Sequence, residues 1–176
     1  MIYGTKAIPG LGKRFIKLPP KCMMPQVFIA LGSNLSDRLK SLERAQDLIR
    51  KISKIFGFRV SPVYETDPVG GPKQRKYLNA VVEFETDLSP QELLTKLLEI
   101  ETQLGRKRSV KNAPRTIDLD LLFYGDQIIH EPGLTVPHPR LHERWFVLKP
   151  LSDLAPEWVH PTMKKTVKEL LAGCKK

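Results

Sequence analysis

Pro114-Arg115-Thr116-Ile117-Asp118-Leu119-Asp120-Leu121-Leu122-Phe123-Tyr124-Gly125 sets two aspartates into an apolar run. The odd positions Ile117, Leu119, Leu121 and Phe123 are all apolar, so the segment is predicted to be a strand with one buried face. Side chains alternate across a strand, which puts Asp118 and Asp120 together on the opposite face with Thr116. Two carboxylates separated by about 6.5–7 Å of backbone rise repel each other and gain nothing from an exposed sheet. A hard divalent cation between them removes the conflict. Mg²⁺ commonly takes one or two protein carboxylates and leaves its other positions to water and phosphate, so two aspartates suffice. Arg106, Arg108 and Arg115 surround the acids with groups suited to phosphate.

Upstream of this strand, the chain alternates short apolar runs with amphipathic ones. Gln26 to Leu31 is a strand closed by Gly32-Ser33-Asn34. From Ser36 to Phe56, Leu39, Leu42, Ala45, Ile49, Ile52 and Phe56 recur at threes and fours, which predicts a helix ended by Gly57. Phe58 to Glu65 is a second strand, followed by the turn-rich loop Asp67-Pro68-Val69-Gly70-Gly71-Pro72. Tyr77 to Glu85 is a third. Ser89-Pro90-Gln91-Glu92 is a capping box with proline at the first helical position, and Gly105 closes the helix it starts. The order β-α-β-β-α-β predicts an α+β, ferredoxin-like fold: an antiparallel sheet with both helices on one face. Trp145 to Leu154 and Thr166 to Leu171 read as two short C-terminal helices added to that core.

The 176 residues suit one domain with a core of its own, and no run approaches the roughly 18–20 apolar residues of a membrane span. Cys22 and Cys174 lie near opposite ends and form neither a metal motif nor a disulfide framework, so the chain reads as cytoplasmic. The net charge is +10, and half of it comes from Lys6, Lys13, Arg14, Lys17 and Lys21 in the acid-free residues 1–24. That segment is expected to be a poorly ordered basic extension, with residues 25–176 as a single catalytic domain. With no continuous apolar core before a small-residue cleavage site, a secretory signal is not expected in it. Its composition is shared by organelle transit peptides, and Met24 offers an alternative start.

Several further constellations bear on chemistry. The loop from Arg106 to Lys111 carries four cations; such runs are ordinarily solvated, but this one directly precedes the carboxylate strand and suits a triphosphate. Tyr77 and Asn79 share a strand face, an aromatic plate beside an amide, fit to stack on and hydrogen-bond a planar heterocycle. His138 and His142 stand four apart, but Pro139 interrupts a helix and no third zinc ligand is evident; with Arg140 and Arg144 they suit phosphate better. Neither a P-loop nor a dinucleotide fingerprint is present.

Taken in order, Ile29-Ala30-Leu31-Gly32-Ser33-Asn34-Leu35, Tyr64-Glu65-Thr66, Tyr77-Leu78-Asn79, the run from Pro114 to Asp120, and Val136-Pro137-His138-Pro139-Arg140 through Phe146-Val147-Leu148 resemble the 6-hydroxymethyl-7,8-dihydropterin pyrophosphokinase family of folate biosynthesis. The resemblance covers roughly residues 26–160. It implies transfer of a diphosphoryl group from ATP to the hydroxymethyl oxygen of the pterin, with release of AMP. It further implies two Mg²⁺ ions on Asp118 and Asp120, and pterin contacts from Thr66, Val69, Tyr77, Asn79 and Phe146. Glu101, Arg106, Arg108, Arg115, Leu121, Thr135, His138 and Arg144 fall on the nucleotide side, with Arg106, Arg108 and Arg115 assisting the chemistry. A monomer is expected, beside or fused to other folate enzymes. One departure is visible: some members carry tryptophan where Asn112 stands, and the loop here is one residue shorter.

The competing reading is a basic ferredoxin-like module presenting its sheet to RNA. It lacks the basic-glycine-aromatic pattern of such modules, and paired aspartates on the exposed face would repel phosphate. Neither nucleic acid nor membrane is expected as a partner.

Overall fold

The computed structural model describes residues 24–70, 73–106 and 113–175. The basic extension before Met24 and most of the cationic loop, including Arg108 and Asn112, lie outside the described residues.

Strand β1 (Gln26–Ser33) is the centre of the sheet, flanked by β4 (Tyr77–Thr86) and β5 (Asp118–Tyr124), both antiparallel to it. Beyond β4 lie β2 (Ile55–Val60) and β3 (Tyr64–Thr66), which pair with successive parts of the same strand. The order β2-β4-β1-β5 is that of a ferredoxin-like sheet. Helices α1 (Arg38–Arg50) and α2 (Pro90–Gln103) cover one face, where Leu42, Ala45, Ile49, Leu93 and Leu97 pack on Val27, Ile29, Val82 and Phe84. On the other face α3 (Trp145–Leu154) and α4 (Val167–Gly173) bring Val147, Leu148, Leu151, Val167 and Leu170 against Phe28 and Val81. A hairpin of β6 (Ile129–Glu131) and β7 (Leu134–Val136), not foreseen from the sequence, precedes α3.

Both capping boxes close as their residues dictate: Ser89 with Glu92 at α2, and Thr166 with Glu169 at α4. The first helix ends earlier than its periodicity suggests. After Arg50 the chain turns, Lys54 adopts φ 71°, and β2 begins at Ile55, so Gly57 lies inside a strand instead of ending a helix. The apolar period runs on because Ile52 in the turn and Ile55 at the start of β2 still pack on the helix-side core, whereas Phe56 is exposed. Gly57 has φ +63° at a register shift between Phe56 and Arg59, a bulge that suits glycine.

The second predicted strand is in fact two. Pro62 has no amide to give, and the break at Ser61 is bridged by the serine itself, whose hydroxyl accepts from the Val81 amide at 2.9 Å. On β5 the alternation also breaks. Leu121 faces Ile29 and Phe123 faces Phe28, so Leu122 is an extra residue in the ladder. Ile117, Leu119 and Leu121 enter the helix-side core as expected, but Phe123 is turned into the layer beneath α3 and α4.

Candidate active site

The register of β1 explains why a cleft opens on the α3 side of the sheet. Gly32 pairs with Asn79 on one side and Asp118 on the other; Ala30 pairs with Val81 and Asp120. Cross-strand partners share a face, so small residues run down the middle of a wall that has amide and aromatic groups on one flank and carboxylates on the other. A β-carbon on Gly32 would stand 3.4 Å from Asn79 Oδ1 and 3.9 Å from Tyr77 Cδ1. The resulting cleft holds about 700 Å³. Gly32→Val should fold normally, since Gly32 is not among the positive-φ glycines. It should nevertheless lower kcat/KM by about 10²-fold by displacing whatever seats between Asn79 and Asp118, a steady-state comparison that unchanged turnover would contradict.

Tyr77 and Asn79 both line this cleft, with Thr66 on the neighbouring strand and Val69 on the loop after it. Thr66 Oγ1 accepts from Asn79 Nδ2 at 2.8 Å, which orients the amide. Burial raises the Tyr77 hydroxyl above its ordinary pKa, so it stays protonated. Phe146 faces the same space from the first turn of α3, with the Arg144 guanidinium 5.8 Å from its ring centre.

The acid flank is densely paired. Asp118 meets Arg106 Nη1 at 2.7 Å and Arg115 Nη1 at 2.6 Å. Asp120 lies 3.3 Å from Arg144 Nη1 and 3.9 Å from His138 Nε2. Burial, then the adjacent Asp118 charge, holds the Asp120 carboxyl above the usual carboxylate range, while His138 and Arg144 pull the other way. Burial pushes His138 below its ordinary value, so it is neutral at pH 7. Two hard carboxylates on one wall of an open cleft, one of them disfavoured as an anion without further positive charge, fit a divalent cation. No cluster of three or more acid, histidine or cysteine ligands exists among the described residues, so such an ion would complete its shell with water or substrate oxygens. His142 sits beside Glu143, away from His138's partner Asp120, and the two histidines do not converge.

Other residues take different places. Leu121 is in the helix-side core, Thr135 is exposed on β7, and Glu101 is buried behind Arg106. None of these three lines the cleft.

Asn34, which the sequence places in a strand-ending turn and in the family motif from Ile29 to Leu35, has no role assigned by its local pattern. It is 1% exposed and ties three segments together: its Nδ2 donates to Gln74 Oε1 at 2.8 Å and to the Arg75 carbonyl at 3.3 Å, and its Oδ1 accepts from the Arg115 amide at 2.9 Å. The partners lie about 40 and 81 positions away, a convergence no local pattern announces. Asn34→Ala should cost about 1–3 kcal/mol in urea unfolding, because it leaves the Arg115 amide without its acceptor. Activity should fall further than stability explains, since Arg115 loses its anchor.

Comparisons with known proteins identify the family. The family model described as 7,8-dihydro-6-hydroxymethylpterin-pyrophosphokinase matches residues 28–156. The 2-amino-4-hydroxy-6-hydroxymethyldihydropteridine pyrophosphokinase of Pseudomonas aeruginosa is 40% identical over 152 residues, covering 86% of this chain and 93% of that protein. Its namesake from Bacillus subtilis is 46% identical over 127 residues, covering 72% and 76%. Among solved structures, Plasmodium falciparum HPPK-DHPS superposes with a TM-score of 0.70 at 17% identity over 85% of this chain, a likeness of fold; the match spans 45% of that longer protein. The carboxylate wall, the amide and aromatic flank and these matches lead to one conclusion: the chain belongs to the 7,8-dihydro-6-hydroxymethylpterin-pyrophosphokinase family.

Proposed function

We propose that the cleft between Tyr77, Phe146 and the Asp118–Asp120 wall is where this protein carries out the reaction of its family. The protein transfers the diphosphoryl group of ATP to the hydroxymethyl group of 6-hydroxymethyl-7,8-dihydropterin, giving AMP and the pterin diphosphate for folate biosynthesis. The hydroxymethyl oxygen forms its bond to the β-phosphorus as the bond from that phosphorus to the α-phosphate bridging oxygen breaks; the hydroxyl proton is lost and AMP departs with the bridging oxygen. The observation that carries the assignment is the row Asn79–Gly32–Asp118 across three strands, which sets a heterocycle-reading amide and a metal-holding carboxylate on opposite sides of a gap without a side chain.

In this reading Tyr77 and Phe146 hold the pterin ring between them while Asn79, oriented by Thr66, reads its polar edge with help from the backbone near Val69. Asp118 and Asp120 would hold two Mg²⁺ ions, which would neutralise phosphate charge and acidify the substrate hydroxyl. Arg106, Arg115 and Arg144, now paired with the aspartates, turn toward the phosphates; Arg108, which the family resemblance also assigns to the nucleotide, lies outside the described residues. His138, neutral at pH 7, can donate one N–H to a phosphate oxygen. Phosphoryl-type transfer asks for in-line placement and charge stabilisation more than for a protein nucleophile, and this set of groups supplies both. A monomer suffices for the reaction, because every group named belongs to one chain.

The direct test measures AMP release from ATP with and without the hydroxymethyl pterin, across a Mg²⁺ titration. Release that depends on both is expected. Pterin-independent hydrolysis, or turnover indifferent to Mg²⁺, would overturn the assignment.

A further inference from the structure

Helix α3 carries one wall of the cleft, yet its first turn has few bonds of its own. Arg144 at the N-cap makes no side-chain capping bond, and Pro150 lies inside the helix. Proline has no amide, so the helical bond back to the carbonyl four residues earlier is missing, and that residue is Phe146. The turn that presents Phe146 to the cleft therefore has to be held from outside.

A single ring on β3 supplies that hold. Trp145, Lys149 and Asp153 stand at four-residue steps, so they share one face of α3, and all three meet Tyr64. The Tyr64 hydroxyl donates to Asp153 Oδ2 at 2.5 Å. Lys149 Nζ takes the other oxygen of that carboxylate and lies 5.3 Å from the tyrosine ring centre. The Trp145 ring stands edge-on at 6.1 Å. In the β3–β4 ladder Tyr64 pairs with Asn79 and Thr66 with Tyr77, so the residue that grips α3 is two positions from the one that orients the Asn79 amide. The bond from Tyr64 to Asp153 thus joins the element carrying Phe146 to the strand that braces the opposite wall. Tyr64, Lys149 and Asp153 do not themselves line the cleft.

We infer that Tyr64 is a positioning residue for the pterin: by tethering Asp153 it sets the gap between Phe146 and the Tyr77–Asn79 wall, without touching the substrate. This rests on the reading of Tyr77 and Phe146 as the two plates of the pterin slot.

The test uses the full chain and titration calorimetry with two probes: a non-hydrolysable ATP analogue with Mg²⁺, then 6-hydroxymethyl-7,8-dihydropterin added to that complex. Tyr64→Phe keeps the ring and its packing and deletes only the hydroxyl. It should weaken pterin binding by about 5–20-fold and leave analogue binding within about twofold. Asp153→Ala should do the same. The double variant should lose no more than about twofold beyond the more affected single one, because both changes remove one bond. Asp153→Asn keeps an acceptor for the hydroxyl and should bind pterin within about threefold of the unmodified protein. Unchanged pterin binding in Tyr64→Phe would overturn the inference. So would equal weakening of analogue and pterin, which marks a general loosening, or losses that multiply in the double variant. Phe146→Ala separates the inference from its premise. Unchanged pterin affinity in that variant would sink the reading of the slot, and this inference with it; weakened affinity there beside unchanged binding in Tyr64→Phe would overturn the inference alone.

Discussion

Asp120→Asn should lower kcat by roughly 10³-fold while giving a ligand-free protein that is more stable than the parent at neutral pH. The two effects have one cause. Burial and the Asp118 charge raise the Asp120 carboxyl above the value of about 3.9 expected in an unfolded chain. A raised native pKa means that the folded protein binds more protons than the unfolded chain does in the window above about pH 3.9. Stability therefore falls as pH rises through that window and stays lowered beyond it. An uncharged isostere escapes the penalty, so the melting temperatures of parent and variant should converge below about pH 4 and separate, with the variant higher, toward pH 7. Since 36% of the Asp120 side-chain surface is open to solvent, the separation should be modest. Calorimetric scans at several pH values, beside single-turnover rates with ATP and the pterin, make the measurement. A variant that turns over near the parent rate would remove Asp120 from the metal-holding pair.

The second large effect is on stability and reaches the site indirectly. Phe123→Ala should cost about 3–5 kcal/mol in chemical unfolding, the usual toll for emptying an aromatic from a core. Phe123 is fully buried, its ring 6.1 Å from Phe28 and 5.4 Å from His160, both edge to face. Because the extra residue at Leu122 turns Phe123 away from α1 and α2, the loss should loosen α3 and α4 first. Hydrogen exchange should rise in Trp145–Leu154 ahead of Arg38–Arg50, and KM for the pterin should climb as Phe146 loses its support. Exchange rising first in α1 would mean that the ring packs on the helix side after all.

That bulge marks where the sequence stops being legible. The period-2 pattern from Ile117 to Leu121 reads correctly, and it was enough to bring Asp118 and Asp120 onto one face. At Leu122 and Phe123 both neighbours are apolar, so the pattern is the same with or without an inserted residue, and only pairing with β1 reveals it. The first helix fails for a similar reason: residues in the turn after Arg50 keep the helical period because they still face the core. The capping box at Ser89 and Glu92, by contrast, reads without error because it is a bond between residues three apart.

For the site, residue types and spacing in the sequence were enough to single out the carboxylate pair, the Tyr77–Asn79 face and the arginines. These are local facts of alternation and charge, and they determine which groups are available. Only the tertiary structure decided how they meet. The register of β1 between β4 and β5 makes Gly32 the floor between Asn79 and Asp118. Asn34 closes on Gln74, Arg75 and Arg115 from far along the chain, and Tyr64 meets Asp153 on α3. Hydrogen bonds across such separations depend on how the sheet and helices pack as a whole, and no periodicity along the chain encodes that.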